Sequence, residues 1–281
     1  MSPFELAEPK SLPAALALLD AEGARPLSGG TALMLMMKAG VLRPTRLVSL
    51  RQLGLEAIEA RVEAGGELRI GAMATLRSLE RSSAVRQGWP AIARTLRTLA
   101  NIRVRNVATV GGALAHADPH MDLPPLFAAL GARATIAGQS GERTVPVEAL
   151  YAGYLENTLK RNELITQVSV PAMGARRAAY LKCTTRSADD WPAVGIAVVI
   201  GAGEVRIVLG AAADRPVRLA AAEKVLKGED LSNPTAVRRA AEAAAEEVAI
   251  ESDQHGSAAY KKQLIRVYLR RTIDEARRAI H

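Results

Sequence analysis

Two stretches of the 281-residue chain carry residues able to do chemistry through the backbone rather than through side chains. Residues 27–38 read LSGGTALMLMMK and residues 109–123 read TVGGALAHADPHMDL, and each sets a Gly-Gly pair after a short β-compatible run. Without Cβ atoms, such pairs let N–H groups approach an anionic ligand closely, and two of them together suggest a diphosphate clamp. Neither is a Walker loop or a dinucleotide fingerprint, because no Gly-Lys-Ser/Thr follows and the third glycine of GxGxxG is missing. Within the second stretch, His116, Asp118 and His120 are metal-ligating residue types on a Pro-containing loop. No separate ligand cluster joins them, so they read as loop-shaping hydrogen-bond groups and no metal is expected. Asp122 stands at the start of a helical pattern, where it can cap the helix or accept hydrogen bonds from ligand hydroxyls.

These loops need elements to position them. Leu12, Leu16 and Leu19 recur at helical spacing behind Ser11 as N-cap and Pro13, with Gly23 as the stop. A short strand over residues 25–29 then leads into the first Gly-Gly pair, and a helix over 31–39 follows it; this order of strand, glycine turn and helix N-terminus suits phosphate. Further strands are expected over 46–50 and 68–72, and helices from residue 74 behind Thr75 and over 89–99, where Ile92, Leu96 and Leu99 share a face. A strand over 107–110 is expected to feed the second Gly-Gly pair, with a helix over 122–130 carrying Pro124 and Pro125 in its first turn. Residues 132–137 and 143–146 read as a hairpin, and residues 163–171 alternate as a half-buried strand. Three more strands over 178–184, 194–200 and 204–210 precede helices over 219–227, 234–248 and 258–281. The pattern changes near Pro171, from a glycine-loop region to an antiparallel sheet with helices.

Composition bounds the partners. Hydrophobic content of 49% with 23% charged residues is that of a globular chain, and the 3% aromatic content makes the core aliphatic. The formal net charge of +8 raises nucleic acid as a partner, yet the basic residues are scattered and no aromatic platform accompanies them, so no nucleic acid is expected. The single cysteine, Cys183, excludes an internal disulfide and any Cys-based zinc or iron-sulfur site within this chain. The N-terminal residues lack a signal-peptide pattern, and charges interrupt every apolar stretch before about 18 residues, so no membrane span and a cytoplasmic location are expected.

Four ordered motifs carry a resemblance that covers essentially the whole chain: LSGGTALMLMMK, ATVGGALAHADPHMDLP, Lys182 with RSADDWP, and the ending HGSAAYKKQLIRVYLRR. The sequence resembles the FAD-binding medium subunit of the molybdenum hydroxylases, the family of carbon monoxide dehydrogenase and xanthine dehydrogenase. The resemblance implies an α+β chain: a two-subdomain FAD-binding domain of the vanillyl-alcohol-oxidase (PCMH) type over 1–172, with subdomains at about 1–57 and 58–172. A C-terminal domain over 173–281 is then a three-stranded antiparallel sheet with a helical bundle.

By matching position, the resemblance places Leu27, Ser28, Gly29, Gly30, Thr31, Ala32, Leu33 and Met34 on one side of the FAD pyrophosphate. Thr109, Val110, Gly111, Gly112 and Ala113 stand on the other, and Asp122 bonds ribityl or ribose hydroxyls. Lys182, Ile165 and Thr166 become neighbours of the isoalloxazine ring, where a cation would stabilise reduced flavin. Trp191 and Leu99 fall near further ring positions, although each also suits ordinary packing. Two departures stand out: Ala113 where relatives commonly have Asn, and Ser28 where they have a small Ala. The implied function is an electron-transfer flavoprotein subunit of an oxidoreductase. It takes electrons from a 2Fe-2S small subunit, works beside a molybdopterin-containing large subunit in a dimer of heterotrimers, and passes electrons to an external acceptor. The alternative is a stand-alone FAD-dependent oxidase or dehydrogenase acting directly on an organic substrate, but no convergent set of His, Tyr and Arg in the C-terminal part supplies its base.

Overall fold

The computed structural model describes residues 2–61, 65–201 and 203–279. At its N-terminus, strand β1 (Glu5–Ala7), helix α1 (Leu12–Leu19), strand β2 (Ala24–Leu27), helix α2 (Leu33–Lys38) and strand β3 (Arg46–Ser49) build a small parallel sheet in the order β1-β3-β2. Ser11 caps α1 by accepting from the Ala14 N–H at 3.4 Å, and Ala15, Leu16 and Leu19 turn inward. Leu27 pairs with Ser49 at the end of β2, so the chain leaves the sheet directly into the first glycine pair.

The second region begins with β4 (Ile58–Ala60) and β5 (Glu67–Gly71). Helices α3 (Leu76–Arg81), α4 (Ser83–Gly88), α5 (Pro90–Thr98), α6 (Ile102–Arg105), α7 (Val110–Ala115) and α8 (Leu123–Leu130) follow. The hairpin β6 (Arg133–Gly138) and β7 (Gly141–Pro146), a 3-10 turn (Val147–Leu150), the small pair β8 (Tyr151–Gly153) and β9 (Glu156–Asn157), and the long β10 (Leu164–Pro171) complete it. The five-stranded sheet runs β4-β5-β10-β6-β7, antiparallel throughout. Helix α8, LPPLFAAL, carries no charge and all eight of its residues are buried, ending at Gly131 in the left-handed conformation (φ 77°).

Strands β11 (Arg177–Cys183), β12 (Val194–Gly201), β13 (Glu204–Gly210) and β14 (Val217–Arg218) form the C-terminal sheet in sequence order. Helices α9 (Ala220–Leu226), α10 (Pro234–Glu247) and α11 (Ala258–Arg278) cover one face of it. Its other face meets α8, and one hydrophobic core runs from Leu68 and Ile70 of β5 through Phe127 of α8 to Ala197, Val199 and Val208 of the C-terminal sheet. The two regions therefore share a core, with α8 as the buried layer between their sheets. No described helix is long and apolar enough to cross a membrane.

Three expectations are corrected. The C-terminal sheet has four strands rather than three; the fourth, Val217–Arg218, is two residues long and sets up no periodicity for a pattern to reveal. Residues 107–110 do not form a strand. Thr109 is the N-cap of α7, its Oγ1 accepting from the Gly112 N–H at 3.1 Å, so Gly111 and Gly112 lie in the first turn of a helix. The last helix ends at Arg278; Ile280 and His281, included in its expected span, lie outside the described residues.

Candidate functional site

The two glycine loops touch each other, and the missing Cβ atoms of Gly29 and Gly112 are the reason. A Cβ on Gly29 would overlap the Val107 carbonyl oxygen and stand 2.9 Å from the Ala108 Cα; one on Gly112 would stand 2.6 Å from Ser28 Oγ. Gly30 has φ of 70°, a backbone conformation open to glycine and strained for other residues. The backbone N–H groups of Gly29, Gly30, Thr31, Ala32 and Leu33 donate to no protein acceptor among the described residues. Leu27 and Met34 flank this run and are half-buried, with Met34 donating to the Gly30 carbonyl at 2.9 Å. Five successive unpaired donors ahead of a helix are suited to an anion.

The second pair is arranged differently. Val110 donates to the Ala74 carbonyl at 3.0 Å, Gly111 to the Ala72 carbonyl at 2.9 Å, Gly112 to Thr109 Oγ1, and Ala113 to the Thr109 carbonyl at 2.9 Å. The N–H groups expected as ligand donors are thus engaged within the protein. Val110 and Ala113 are buried in the core, and a Cβ on Gly111 would stand 2.6 Å from the Ala72 Cβ. This pair lets α7 lie close against β5 and the first loop.

Asp122 begins α8 but makes no capping bond. Its Oδ1 accepts from the Tyr180 hydroxyl at 2.7 Å and its Oδ2 from Lys182 Nζ at 2.8 Å, with both charged side chains nearly excluded from solvent. Burial pushes the Asp122 carboxyl up, against the opposing pull of Lys182 and Tyr180. Tyr180 is pushed well up by burial and by the neighbouring carboxylate. The expected cation at Lys182 is therefore an ion-paired one, which also donates to the Asp190 carbonyl at 3.2 Å. Sequence reasoning misses Tyr180. Its i, i+2 spacing from Lys182 on a strand, which puts both on one face, is the signal that could have found it.

The remaining expected residues lie on β10, at the end of α5 and in the segment between β11 and β12. Ile165 and Thr166 sit where the β10–β6 register slips, a β-bulge of the kind that gathers beside functional sites. Both are buried; Thr166 accepts from the Ala72 N–H through its carbonyl at 2.9 Å and donates its hydroxyl to Thr135 at 3.3 Å. Leu99 is buried in the shared core, next to Ala100 in the left-handed region (φ 50°). Arg105 pins that turn by donating to the Leu99 and Ala100 carbonyls. Trp191 is 47% exposed, its ring 5.5 Å from that of His120. His120 in turn lies 4.9 Å from His255, and Asp118 Oδ1 accepts from the His120 backbone N–H at 2.8 Å and lies 3.1 Å from its Nδ1. Sequence reasoning assigns no role to His255, although it belongs to the HGSAAYKK motif. Among the described residues, no group of three or more His, Cys, Asp or Glu is arranged to hold a metal ion.

A cavity of about 290 Å³ opens beside Tyr180 and Lys182, lined also by Arg94, Thr95, Thr98 and Glu275. A larger one, about 420 Å³, lies at the far end of α8 between Arg133, Arg176 and Arg206, away from both glycine loops. The candidate site consists of the first glycine loop packed against the second and of the Asp122 junction with Tyr180 and Lys182. Unpaired backbone donors and a carboxylate with open lone pairs fit a ligand bearing both a diphosphate and hydroxyls.

The family described as FAD binding domain in molybdopterin dehydrogenase matches residues 2–173, and the CO dehydrogenase flavoprotein C-terminal domain matches residues 179–276. The chain belongs to the FAD-binding medium-subunit family of the molybdenum hydroxylases. It is a flavoprotein oxidoreductase subunit, and FAD is the cofactor of its N-terminal domain. It is 32% identical to the carbon monoxide dehydrogenase medium chain of Afipia carboxidovorans over 281 residues, covering 98% of this chain and 96% of that one. It is 33% identical to the nicotine 6-hydroxylase medium subunit of Paenarthrobacter nicotinovorans over 277 residues, covering 96% of each. Among solved structures, carbon monoxide dehydrogenase from Hydrogenophaga pseudoflava superposes with a TM-score of 0.92 at 34% identity, over 98% of each chain.

Proposed function

We propose that this chain is the electron-transfer subunit of a molybdenum hydroxylase complex. It receives electrons from iron-sulfur clusters of a small partner subunit and passes them to an external acceptor, while a molybdopterin-containing large subunit oxidises the substrate. The assembly is a dimer of such heterotrimers. FAD supplies the chemistry that matches one-electron donors to a two-electron acceptor. The observation that carries this reading is the run of unpaired N–H donors over residues 29–33, held against a second glycine pair in a chain of this family.

In this reading Leu27, Ser28, Gly29, Gly30, Thr31, Ala32, Leu33 and Met34 hold the pyrophosphate. Thr109, Val110, Gly111, Gly112 and Ala113 bring the second loop within reach, and Asp122 accepts from ligand hydroxyls. Lys182, Ile165, Thr166, Leu99 and Trp191 surround the ring. The unit that binds FAD runs over 1–172 and the C-terminal unit over 173–281. Residues of this chain bind, orient and exclude water; none is required to attack the organic substrate.

The purified chain titrated with FAD tests the binding, and purification from its host tests the assembly. Flavin absorbance on the chain, together with copurifying molybdenum and iron-sulfur subunits, is the expected result. Rapid flavin reduction by an organic substrate in the absence of any partner would replace this reading with a stand-alone oxidase.

A further inference from the structure

Tyr180 belongs to none of the glycine loops, yet its surroundings are built for its hydroxyl. It stands two residues before Lys182 on β11, and β12 presents Gly195 opposite Lys182. A Cβ on Gly195 would overlap the Tyr180 hydroxyl oxygen and stand 2.9 Å from Cζ. Glycine weakens a buried strand, and its presence there marks a close approach; here it makes the room that lets the hydroxyl reach Asp122 Oδ1 at 2.7 Å. The bond spans the molecule's two parts, since Asp122 lies in the segment matching the FAD binding domain and Tyr180 in that matching the C-terminal domain.

We infer that Tyr180 is a positioning residue of the FAD site: its hydroxyl and the Lys182 ammonium form a two-donor cradle that keeps Asp122 ionised and oriented as an acceptor for ligand hydroxyls. The inference rests on the placing of Asp122 in that site proposed above. A carboxylate offers about four lone-pair positions. Tyr180 and Lys182 take one on each oxygen, which leaves one on each for a ligand and prevents the carboxylate from turning.

Deep burial pushes the Asp122 carboxyl up, and a protonated Asp122 would offer a donor where an acceptor is needed. The charged and titratable groups facing it are Lys182 and Tyr180, both from β11. On its own loop, Asp118 and His120 are paired with each other; Asp190, beyond β11, turns its carbonyl to Lys182 and its carboxylate to Arg186 and the Trp191 N–H. Removing the Tyr180 hydroxyl takes away one of two donors, so Asp122 protonates at higher pH. The acid-side loss of FAD affinity then moves to higher pH as well.

The test is FAD affinity of the full chain, read by flavin fluorescence between about pH 5 and 8. Tyr180→Phe, folded by circular dichroism, is expected to weaken FAD about tenfold at neutral pH and to shift the acid limb upward. Gly195→Ala, which displaces the hydroxyl without removing it, should shift the limb in the same direction. In an Asp122→Asn background the limb should be absent, and Tyr180→Phe should add no pH dependence, a result that a merely structural role would not produce. Tyr180→Phe with wild-type affinity and an unmoved limb would overturn this inference alone. A wild-type chain that binds no FAD at any pH would overturn the function proposed above and this inference with it.

Discussion

The first glycine pair, Gly29-Gly30, and the second, Gly111-Gly112, are the same dipeptide after similar β-compatible residues. In the folded chain the first follows a strand and the second lies inside a helix. Around the first, five successive N–H groups are without a protein acceptor among the described residues; around the second, the corresponding donors are bonded to Ala74, Ala72 and Thr109. One pair offers hydrogen bonds and the other offers proximity. Glycine has a low helix propensity, at some cost in stability, and the second segment carries two in the first turn of α7. Close contact of α7 with β5 and with Ser28 is what offsets that cost. A glycine-rich motif therefore reports that a backbone must come close to something, and only the fold says whether that partner is a ligand or another backbone.

The largest expected effect comes from treating the second pair as if it were a ligand loop. Gly111→Val places a branched side chain where a single Cβ already stands 2.6 Å from Ala72 Cβ and 3.0 Å from the Ala72 carbonyl oxygen. Overpacking of this kind, with backbone as the obstacle, is expected to cost about 3 kcal/mol of stability. For a chain of this size that lowers the melting midpoint by roughly 6–12 °C, so any loss of FAD would accompany a loss of fold. An unchanged melting midpoint with FAD binding abolished would reverse the comparison, because the second pair would then be the ligand loop. Gly29→Ala meets the Val107 carbonyl and should separate the two loops. It is expected to reduce both melting temperature and FAD affinity.

Part of the candidate site was legible in the sequence. The two glycine pairs, Asp122 and Lys182 lie in ordered motifs of the sequence, and elements such as α5 and β10 follow from periodicity. What escaped depends on pairings between distant segments. Gly111 and Gly112 look like ligand donors until Ala72 and Thr109 are seen to accept from them. Tyr180 acquires a role only through Asp122, 58 residues away, and through the space left by Gly195. Helices α4 and α6, six and four residues long, are too short to display a face. Thr166 lies in a strand whose alternation reads as regular, yet the pairing slips there. Lys182 was visible as a cation but not as a neutralised one, because the carboxylate that pairs it comes from another part of the sequence.

A smaller and cleaner test removes one donor from the first loop. Thr31 makes no side-chain hydrogen bond among the described residues, and Thr31→Val keeps its branched shape while deleting the hydroxyl. FAD affinity measured by fluorescence titration should fall about tenfold, or about 1.4 kcal/mol. The melting midpoint of the chain without FAD should stay within about 2 °C of wild type, as a half-buried substitution that breaks no protein bond would allow. Equal affinity for the two proteins would remove Thr31 from the clamp and leave the first loop to its backbone donors.

Thr109→Ala is the counterpart in the second loop and carries the smallest expected effect. Thr109 Oγ1 satisfies the Gly112 N–H at the start of α7, a helix of only six residues with two glycines in its first turn. Loss of such a cap costs about 1 kcal/mol, roughly 2–4 °C in melting midpoint for a chain of this length. Thr109→Ser keeps the oxygen and should restore most of it. The side chain thus supports the protein first, and FAD affinity should change less in Thr109→Ala than in Thr31→Val. The freed Gly112 N–H gives the result its edge. If the hydroxyl serves only the helix, removing it leaves one more donor beside the first loop, and FAD affinity holds or rises while stability falls. Affinity falling by tenfold without loss of stability would show Thr109 to be a ligand group, and the two loops would then work by the same means.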